Sequence, residues 1–103
     1  MWVRQTTIVV QPGKIDELKK IYNEEVVPLA KARQGNLAMF LLEPADGENE
    51  FISYTIWDTR ENADAYASSG TYKALVDKVR HCVVGDPTLR QYQTEDTGNT
   101  ASS

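Results

Sequence analysis

The spacing of apolar residues changes along the chain and predicts alternating strands and helices. Residues 2–10 are rich in β-branched side chains, which predicts a first strand. A helix is predicted over residues 14–33, and the missing backbone hydrogen bond at Pro28 should kink it near residues 24–28. The apolar residues of this helix recur at three- and four-residue steps and form one stripe: Ile15, Leu18, Tyr22, Val26 and Leu29.

Two more strands and a second helix start are predicted in the middle of the chain. Residues 37–43 and 50–57 are apolar runs that a short polar turn separates, as in a hairpin. Asp58 and Glu61 have the spacing of a capping box, in which Asp58 accepts a backbone N–H and Glu61 reaches back. This pattern predicts a helix that begins here and runs to about Ser68.

The last part of the chain predicts one more helical segment and one more strand. Thr71 can cap the segment, and the Gly-Asp-Pro sequence at residues 85–87 ends it before a strand over residues 88–94. One face of the segment is apolar: Tyr72, Leu75, Val76, Val79 and Cys82. The order β-α-β-β-α-β, with the second helix broken at Gly70, predicts an α+β, ferredoxin-like fold. In that fold the helices cover one face of a four-stranded antiparallel sheet.

The domain organisation follows from length and local composition. A chain of 103 residues suits one domain, which we expect to occupy residues 1–94. Residues 95–103 are small and polar and show no periodicity, so we expect a disordered C-terminal tail there.

Both faces of the second and third predicted strands are apolar. Alternate residues of a strand point to opposite faces. In the second strand one set is Leu37, Met39 and Leu41, and the other is Ala38, Phe40 and Leu42. The helices can cover only one face, and the C-terminal tail has too few apolar residues to cover the other. We therefore expect a homodimer that buries the face opposite the helices.

Composition excludes several classes of function. The formal net charge is −4 and no Lys/Arg cluster occurs, which argues against nucleic-acid binding. The longest apolar run, residues 37–42, is too short to span a membrane, and the N-terminus lacks the apolar core of a signal peptide. A single cysteine fits the reducing cytoplasm. One His, one Cys and no Gly-rich phosphate loop predict neither a metal nor another cofactor.

Five short motifs resemble the antibiotic biosynthesis monooxygenase (ABM) domain family in order and spacing. They are VQPGK at residues 10–14, VPL at 27–29, Gly35, WDTRE at 57–61 and SGTY at 69–72. The resemblance covers about residues 3–94. It implies a dimeric α+β barrel, in agreement with the two-faced strands. Family members include monooxygenases that oxidise polycyclic phenols without metal or flavin, haem-degrading enzymes and relatives that act on small signalling molecules. The resemblance therefore implies a fold more strongly than a reaction.

The aromatic residues supply most of the candidates for a site. Trp57 matches the tryptophan that closes the third strand in the family and lies at the pocket in its phenol-oxidising members. Its indole can stack on a flat substrate and donate to a developing phenolate oxygen, or it can be a core residue. Tyr66 and Tyr72 flank Gly70 near the mouth of a cavity between sheet and helices, where a phenol can bind a substrate oxygen or simply pack. Tyr54 has the same two roles open to it.

The phenol-oxidising members also have an asparagine four residues before the strand-end tryptophan, and Ser53 stands there in this chain. Six residues after the tryptophan those members have a tyrosine, and this chain has Ala63. Of these three family residues, this chain therefore retains only the tryptophan, Trp57. His81 is the only imidazole and thus the only ready proton acceptor near neutral pH, although capping of a helix end is an equal role. The haem-degrading pattern fails, because Val76 stands at its histidine position.

Two functions of different classes stay open at this stage. The first is a cofactor-independent monooxygenase that acts on a flat phenolic or quinone-type small molecule. The second is a non-catalytic homodimer that binds a small molecule or has a structural role. A cavity lined by polar side-chain tips would favour the first, and one filled by rings would favour the second. The candidates are, for catalysis, Trp57, His81 and Tyr72 and, for substrate binding, Tyr66, Tyr54 and Ser53.

Overall fold

The computed structural model describes residues 1–95, which form one antiparallel sheet with helices on one face. The spatial order of the strands is β2-β3-β1-β4. All pairings are antiparallel. This confirms the predicted α+β, ferredoxin-like fold. The strands are β1 (Trp2–Val10), β2 (Asn36–Leu42), β3 (Glu50–Trp57) and β4 (Val83–Gln93).

The helical residues lie in two runs, one between β1 and β2 and one between β3 and β4. The first run contains α1 (Ile15–Ile21), a π-helical segment (Tyr22–Val26) and α2 (Val27–Lys31). The second contains α3 (Arg60–Ser68), α4 (Gly70–Val79) and a 3₁₀ turn (Arg80–Cys82). None of the helices within residues 1–95 is long and apolar enough to span a bilayer.

The π-helical segment corrects one residue of the predicted helical stripe. It ends two residues before Pro28, in the region where the sequence predicts a departure from regular geometry. The Val27 N–H bonds to the carbonyl of Tyr22, five residues back, which inserts one residue per turn. The apolar face is therefore displaced by one position, so that Ala30 is buried and the predicted Leu29 is 47% exposed.

The start of α3 lies one residue later than predicted. Thr59 is the N-cap, and its hydroxyl oxygen accepts the Asn62 N–H at 3.1 Å. The predicted cap, Asp58, instead accepts the Thr59 N–H at 2.7 Å. Moving the cap by one residue puts Asn62 in the third helical position, so Glu61 cannot complete the predicted capping box.

The predictions for α4 and β4 also shift. Ser69, not Thr71, caps α4, because the chain is extended at Ser69 and its hydroxyl accepts the Tyr72 N–H at 3.3 Å. β4 begins at Val83 and contains the Gly-Asp-Pro sequence that was expected to precede it. The strand accommodates this sequence as a bulge, where the register with β1 shifts and Gly85 adopts a φ of 71°.

A second bulge corrects one expectation for β2. The register between β2 and β3 shifts between Asn36 and Ala38, which places Leu37 at the irregularity. Leu37 was predicted to share a face with Met39 and Leu41, yet it is 50% exposed while those two pack against the core.

The hydrophobic core lies between the sheet and the helices. One cluster is built around Trp57 and Tyr66, and a second around Phe51 and Leu18. The other side of the sheet, which we call the open face, has no helix over it within residues 1–95. It exposes large apolar side chains from β1, β2 and β4: Val9, Phe40, Leu42, Val84 and Tyr92. The predicted tail lies outside the described residues apart from Glu95.

Candidate functional site

A cavity of about 80 Å³ lies between the helix-covered face of the sheet and the helices. One water needs roughly 10–15 Å³ of such space, so the cavity holds several water-sized groups. Most of its walls are aliphatic. Its polar wall residues come from β1, the π-helical segment, β3, α3, α4 and the 3₁₀ turn: Thr6, Tyr22, Ser53, Tyr66, Tyr72 and Arg80. Apolar walls with a few convergent polar groups are typical of small-molecule sites.

Tyr22 and Ser53 form a hydroxyl pair at this cavity. The two oxygens are 2.8 Å apart, and the Tyr22 hydroxyl donates to the Phe40 carbonyl at 3.3 Å. Burial raises the pKa of Tyr22, while the hydrogen bond with Ser53 lowers it by less. The pair therefore offers neutral hydrogen-bonding groups. Ser53 lines the cavity as a substrate-binding residue should, although that role stays a prediction.

Tyr66 and Tyr72 bring two more phenols to the cavity wall. Their rings meet edge to face with centroids 5.4 Å apart. Burial raises the pKa of Tyr66 to about 12, and the nearby Tyr72 adds to the rise. Tyr66 is thus a neutral hydrogen-bond donor at neutral pH and a poor base. The structure brings together three of the predicted site residues here: Ser53, Tyr66 and Tyr72.

Trp57 is completely buried and does not belong to the cavity wall. Its indole N–H donates to the hydroxyl of Thr55 at 3.0 Å, and its ring packs on Tyr66 with centroids 4.9 Å apart. Its donor is therefore already engaged within the protein. The geometry favours a packing role behind Tyr66, and a role in a reaction stays a prediction.

Tyr54 lies on the open face of the sheet, away from the cavity. It pairs with Gln5 of β1 and lies beside Phe40, with ring centroids 6.2 Å apart. Neighbouring residues of a strand face opposite sides, so Tyr54 cannot join Ser53 at the cavity. Its predicted contact with substrate has no support from this placement.

His81 lies in the exposed 3₁₀ turn and is also outside the cavity wall. Its Nε2 bonds to the Glu17 carboxylate, which also accepts the thiol of Cys82 at 3.4 Å. The bond with His81, followed by the bond with Cys82, holds the pKa of Glu17 below its usual value. Burial and the neighbouring carboxylate raise the pKa of the thiol.

Glu17, His81 and Cys82 are the one group of three potential metal ligands within residues 1–95. Their ligand atoms lie within 4.8 Å of one another. The number of His and Cys residues alone predicted no metal site, and the contribution of Glu17 from α1 becomes visible only in three dimensions. His81 and Cys82 each bond to the Glu17 carboxylate, so the arrangement has a cause without an ion.

Arg4 is a polar residue of this region that was not among the predicted site residues. It is only 4% exposed, and its guanidinium carbon lies 5.3 Å from the centre of the Tyr72 ring. The signal was present, because positions 2, 4, 6, 8 and 10 of β1 share one face and Ile8 and Val10 make that face the buried one. A charge at an inward position of a strand is uncommon and marks a candidate site.

Comparison with known proteins agrees with the fold. The model of a family described as antibiotic biosynthesis monooxygenase matches residues 1–78. No curated protein is significantly similar to the chain.

Three bacterial structures illustrate the match in fold. A Nitrosomonas europaea protein provisionally named an antibiotic biosynthesis monooxygenase is 21% identical, with a TM-score of 0.77 over 91% of this chain and 98% of that one. A Deinococcus radiodurans protein with the same provisional name is 15% identical, with a TM-score of 0.81 over 96% of this chain and 97% of that one. A Mycobacterium tuberculosis protein is 17% identical, with a TM-score of 0.75 over 95% and 98%. At these identities the likeness shows the fold alone.

Proposed function

Because the chain belongs to the antibiotic biosynthesis monooxygenase family, we propose that it oxidises a small, flat phenol with O₂, without metal or flavin. The observation that carries this proposal is the cavity between sheet and helices. Its aliphatic walls would keep water from a bound ring, and the phenols of Tyr66 and Tyr72 in the wall are the proposed donors to the oxygen atoms of the substrate.

The reaction balances without an external reductant. A phenol with a free C–H opposite its hydroxyl loses that C–H hydrogen and the O–H proton and becomes a quinone. One atom of O₂ forms the new carbonyl, and the other leaves as water with the two hydrogens. The substrate supplies the four electrons that O₂ accepts. The electron-rich phenolate is the form that reacts with O₂, so the protein's task is to bind and orient that form.

Within this proposal the cavity residues divide the work of binding. Tyr72 donates to the oxygen on which negative charge develops, and Tyr66 and Ser53 contact the substrate. Trp57 fixes the Tyr66 ring from behind, with its own N–H held by Thr55. The role proposed for His81 is to exchange protons with solvent at the surface, since it does not line the cavity.

The absence of a base from the described cavity wall limits the substrates. No Asp, Glu or His side chain lines the cavity within residues 1–95, and burial makes Tyr66 too weak an acid to serve as a phenolate base. We therefore propose a phenol acidic enough to ionise near neutral pH before or on binding.

The same absence favours a second candidate function. A cavity without a base can bind a flat molecule and leave it unchanged, so a ligand-binding homodimer is the alternative. The two candidates differ in one observable quantity, which is the consumption of O₂ when the ligand is present.

In either case we propose that two chains associate through the open face. Five large apolar side chains are exposed there, which is more than a monomer of this size usually leaves to water. A two-fold partner would cover them with the same surface, and the family resemblance points the same way.

The proposal is tested with acidic phenols that have a free position opposite the hydroxyl. We expect O₂ uptake and quinone formation in a 1:1 ratio, and a loss of roughly 100-fold in kcat for Tyr72→Phe, as for removal of one oxyanion donor. Tyr92→Phe, an exposed tyrosine of the open face, should leave kcat unchanged. Saturable binding with no O₂ uptake across the series would overturn the oxygenase and leave the binding dimer.

A further inference from the structure

We propose that Arg4 makes this cavity a receptor for an anionic ring, specifically a single-ring aromatic carboxylate, held by the guanidinium at one end and by the tyrosine rings along its length. This inference rests on the proposed function in one respect, which is that the cavity binds a flat molecule. It adds the charge of that molecule and the residue that selects it.

The position of Arg4 in the sheet places it beside the cavity. On the helix-covered face of β1, Arg4 is the neighbour of Thr6, which lines the cavity, and it lies opposite Thr55 of β3. Its guanidinium carbon lies 5.3 Å from the centre of the Tyr72 ring, and Tyr72 is itself part of the cavity wall.

Arg4 carries its charge into the core without a counter-charge. Within residues 1–95 its side chain makes no ion pair and no hydrogen bond, although it is only 4% exposed. Arg60 and Arg80, by contrast, are exposed and pair with carboxylates of their own helical turns. A buried charge without a partner is costly, so a fold that keeps one has a use for it.

The Tyr72 ring offsets only part of that cost. A ring face attracts a cation, yet it provides no acceptor aligned with the five N–H groups of a guanidinium. The one fully buried side-chain polar atom without a partner in the described residues is Oδ1 of Asn36. The nitrogens of Arg4 are not among such fully buried atoms. Arg4 is not itself part of the cavity wall, so in this proposal a carboxylate reaches the guanidinium beside the Tyr72 ring, which does line the cavity.

The electrostatics of the cavity select an anion although the protein is acidic overall. The formal net charge of the chain is −4, but no carboxylate lines the cavity within residues 1–95. Arg80 lines the cavity, but its charge is paired with Asp77 outside the wall. Arg4 and Arg33 both act to lower the pKa of Tyr66, against the larger effect of burial. The local potential is thus positive where the chain as a whole is negative.

The geometry of the guanidinium favours a carboxylate over a single oxygen anion. Its planar fork matches the two oxygens of a carboxylate and can donate two parallel hydrogen bonds. The edge-to-face pair of Tyr66 and Tyr72 then offers an aromatic surface to the ligand ring. The limited volume of the cavity suits one ring better than several.

The test compares salicylate with salicylamide, which has the same ring and hydroxyl but no charge. Titration calorimetry on the full chain should give a Kd for salicylate at least about tenfold lower than that for salicylamide, as one charge-assisted pair provides. Arg4→Gln should bring the two Kd values to within about twofold of each other. Arg60→Gln, which removes the same charge from an exposed arginine that also lies over an aromatic ring, should keep the preference.

The Kd values show whether Arg4 is the group that selects the anion. Equal Kd values in the wild type, or a preference that survives Arg4→Gln, would overturn the role of Arg4 while leaving a cavity that binds flat molecules. Failure of both compounds to bind would overturn this inference and the binding cavity together.

If Arg4→Gln does not fold, Arg4→Lys decides. It keeps the charge and loses the fork, so it should weaken salicylate binding by roughly threefold to tenfold and leave salicylamide unchanged. An unaltered salicylate Kd in Arg4→Lys would contradict the proposal that the guanidinium donates two hydrogen bonds to the carboxylate.

Discussion

The two faces of the sheet are built from equally apolar residues and differ in what covers them. The chain has two phenylalanines, and the sheet places one on each side. Phe51 is 0% exposed beneath the helices, whereas Phe40 is 51% exposed on the open face. The covered face is also the one that contains a cavity and a buried charge. An apolar strand sequence therefore predicts a sheet face that favours burial. Whether that face becomes part of the core, of a binding site or of an interface depends on the elements that pack against it.

The largest expected difference between the faces is in stability. Phe51→Ala should reduce the free energy of unfolding by about 3–5 kcal/mol, because it leaves a cavity in the packed core. Phe40→Ala should reduce it by less than about 1 kcal/mol in dilute protein, since the ring is already half exposed. Urea denaturation of the two variants measures both values. Equal losses would show that the open face is as constrained as the core.

The next effect should appear in self-association. Phe40→Arg replaces a half-exposed aromatic ring of the open face, on the edge strand β2, with a charge. It should raise the dimer dissociation constant by about 100-fold or more, as loss of an interface hot spot does. Ala74→Arg adds the same charge to an exposed position of α4 and should not change it. Sedimentation equilibrium measures the dimer dissociation constants of both variants. A wild-type chain that sediments at 11.6 kDa at micromolar concentration would contradict the dimer itself.

Much of this fold could be predicted because periodicity and hairpin spacing are local signals. β1 and β3 have the predicted bounds, and the strand order follows from the order of elements. Besides the shifted helix caps and the early start of β4, two errors lie where one residue is inserted into a regular element. The π-helical segment moved the buried position from Leu29 to Ala30, and the bulge in β2 exposed Leu37. Such insertions are stabilised by tertiary packing, which the local pattern does not encode.

The site was less predictable than the fold because its residues meet only in three dimensions. Family motifs led to Trp57, which lies behind the cavity, and chemistry led to His81, which lies at the surface. Ser53 and Tyr72 do line the cavity. The charge of Arg4 was visible in the sequence, but whether a carboxylate of residues 1–95 pairs with it depends on where those carboxylates lie in space.

A smaller effect tests whether Trp57 belongs to the core or to the site. Trp57→Phe should lower stability by about 1–3 kcal/mol, because it removes ring contacts and leaves the Thr55 hydroxyl without its donor. Thr55→Val leaves the indole N–H unpaired, so the double variant should be less destabilised than the sum of the two. Ligand affinity and kcat should stay unchanged in Trp57→Phe. A fall in kcat at unaltered melting temperature would put the indole N–H in the site.

The smallest effect concerns acid stability at the surface cluster. In the folded protein the pKa of Glu17 lies below its ordinary value of 4.5, chiefly because of His81. Glu17 therefore contributes stability above that value, and the contribution is lost as pH falls through the lower folded pKa. His81→Gln should make the loss of stability on acidification shallower than in the wild type. The melting temperatures of the wild type and of His81→Gln, measured from neutral pH to below pH 4.5, test this expectation. If both melting temperatures fall equally with pH, the pair of Glu17 and His81 does not contribute to stability.

The cavity, and not the open face, is where we expect a flat phenol to bind. The two methionines of the chain provide a direct measurement, because Met39 lines the cavity and Met1 lies elsewhere, exposed at the N-terminus. Methyl NMR of carbon-13 methionine-labelled protein should show the Met39 signal shifting saturably with added 2-nitrophenol, a single-ring phenol that ionises near neutral pH, while the Met1 signal stays in place. Binding that leaves Met39 unmoved, or that moves Met1 alone, would contradict the account.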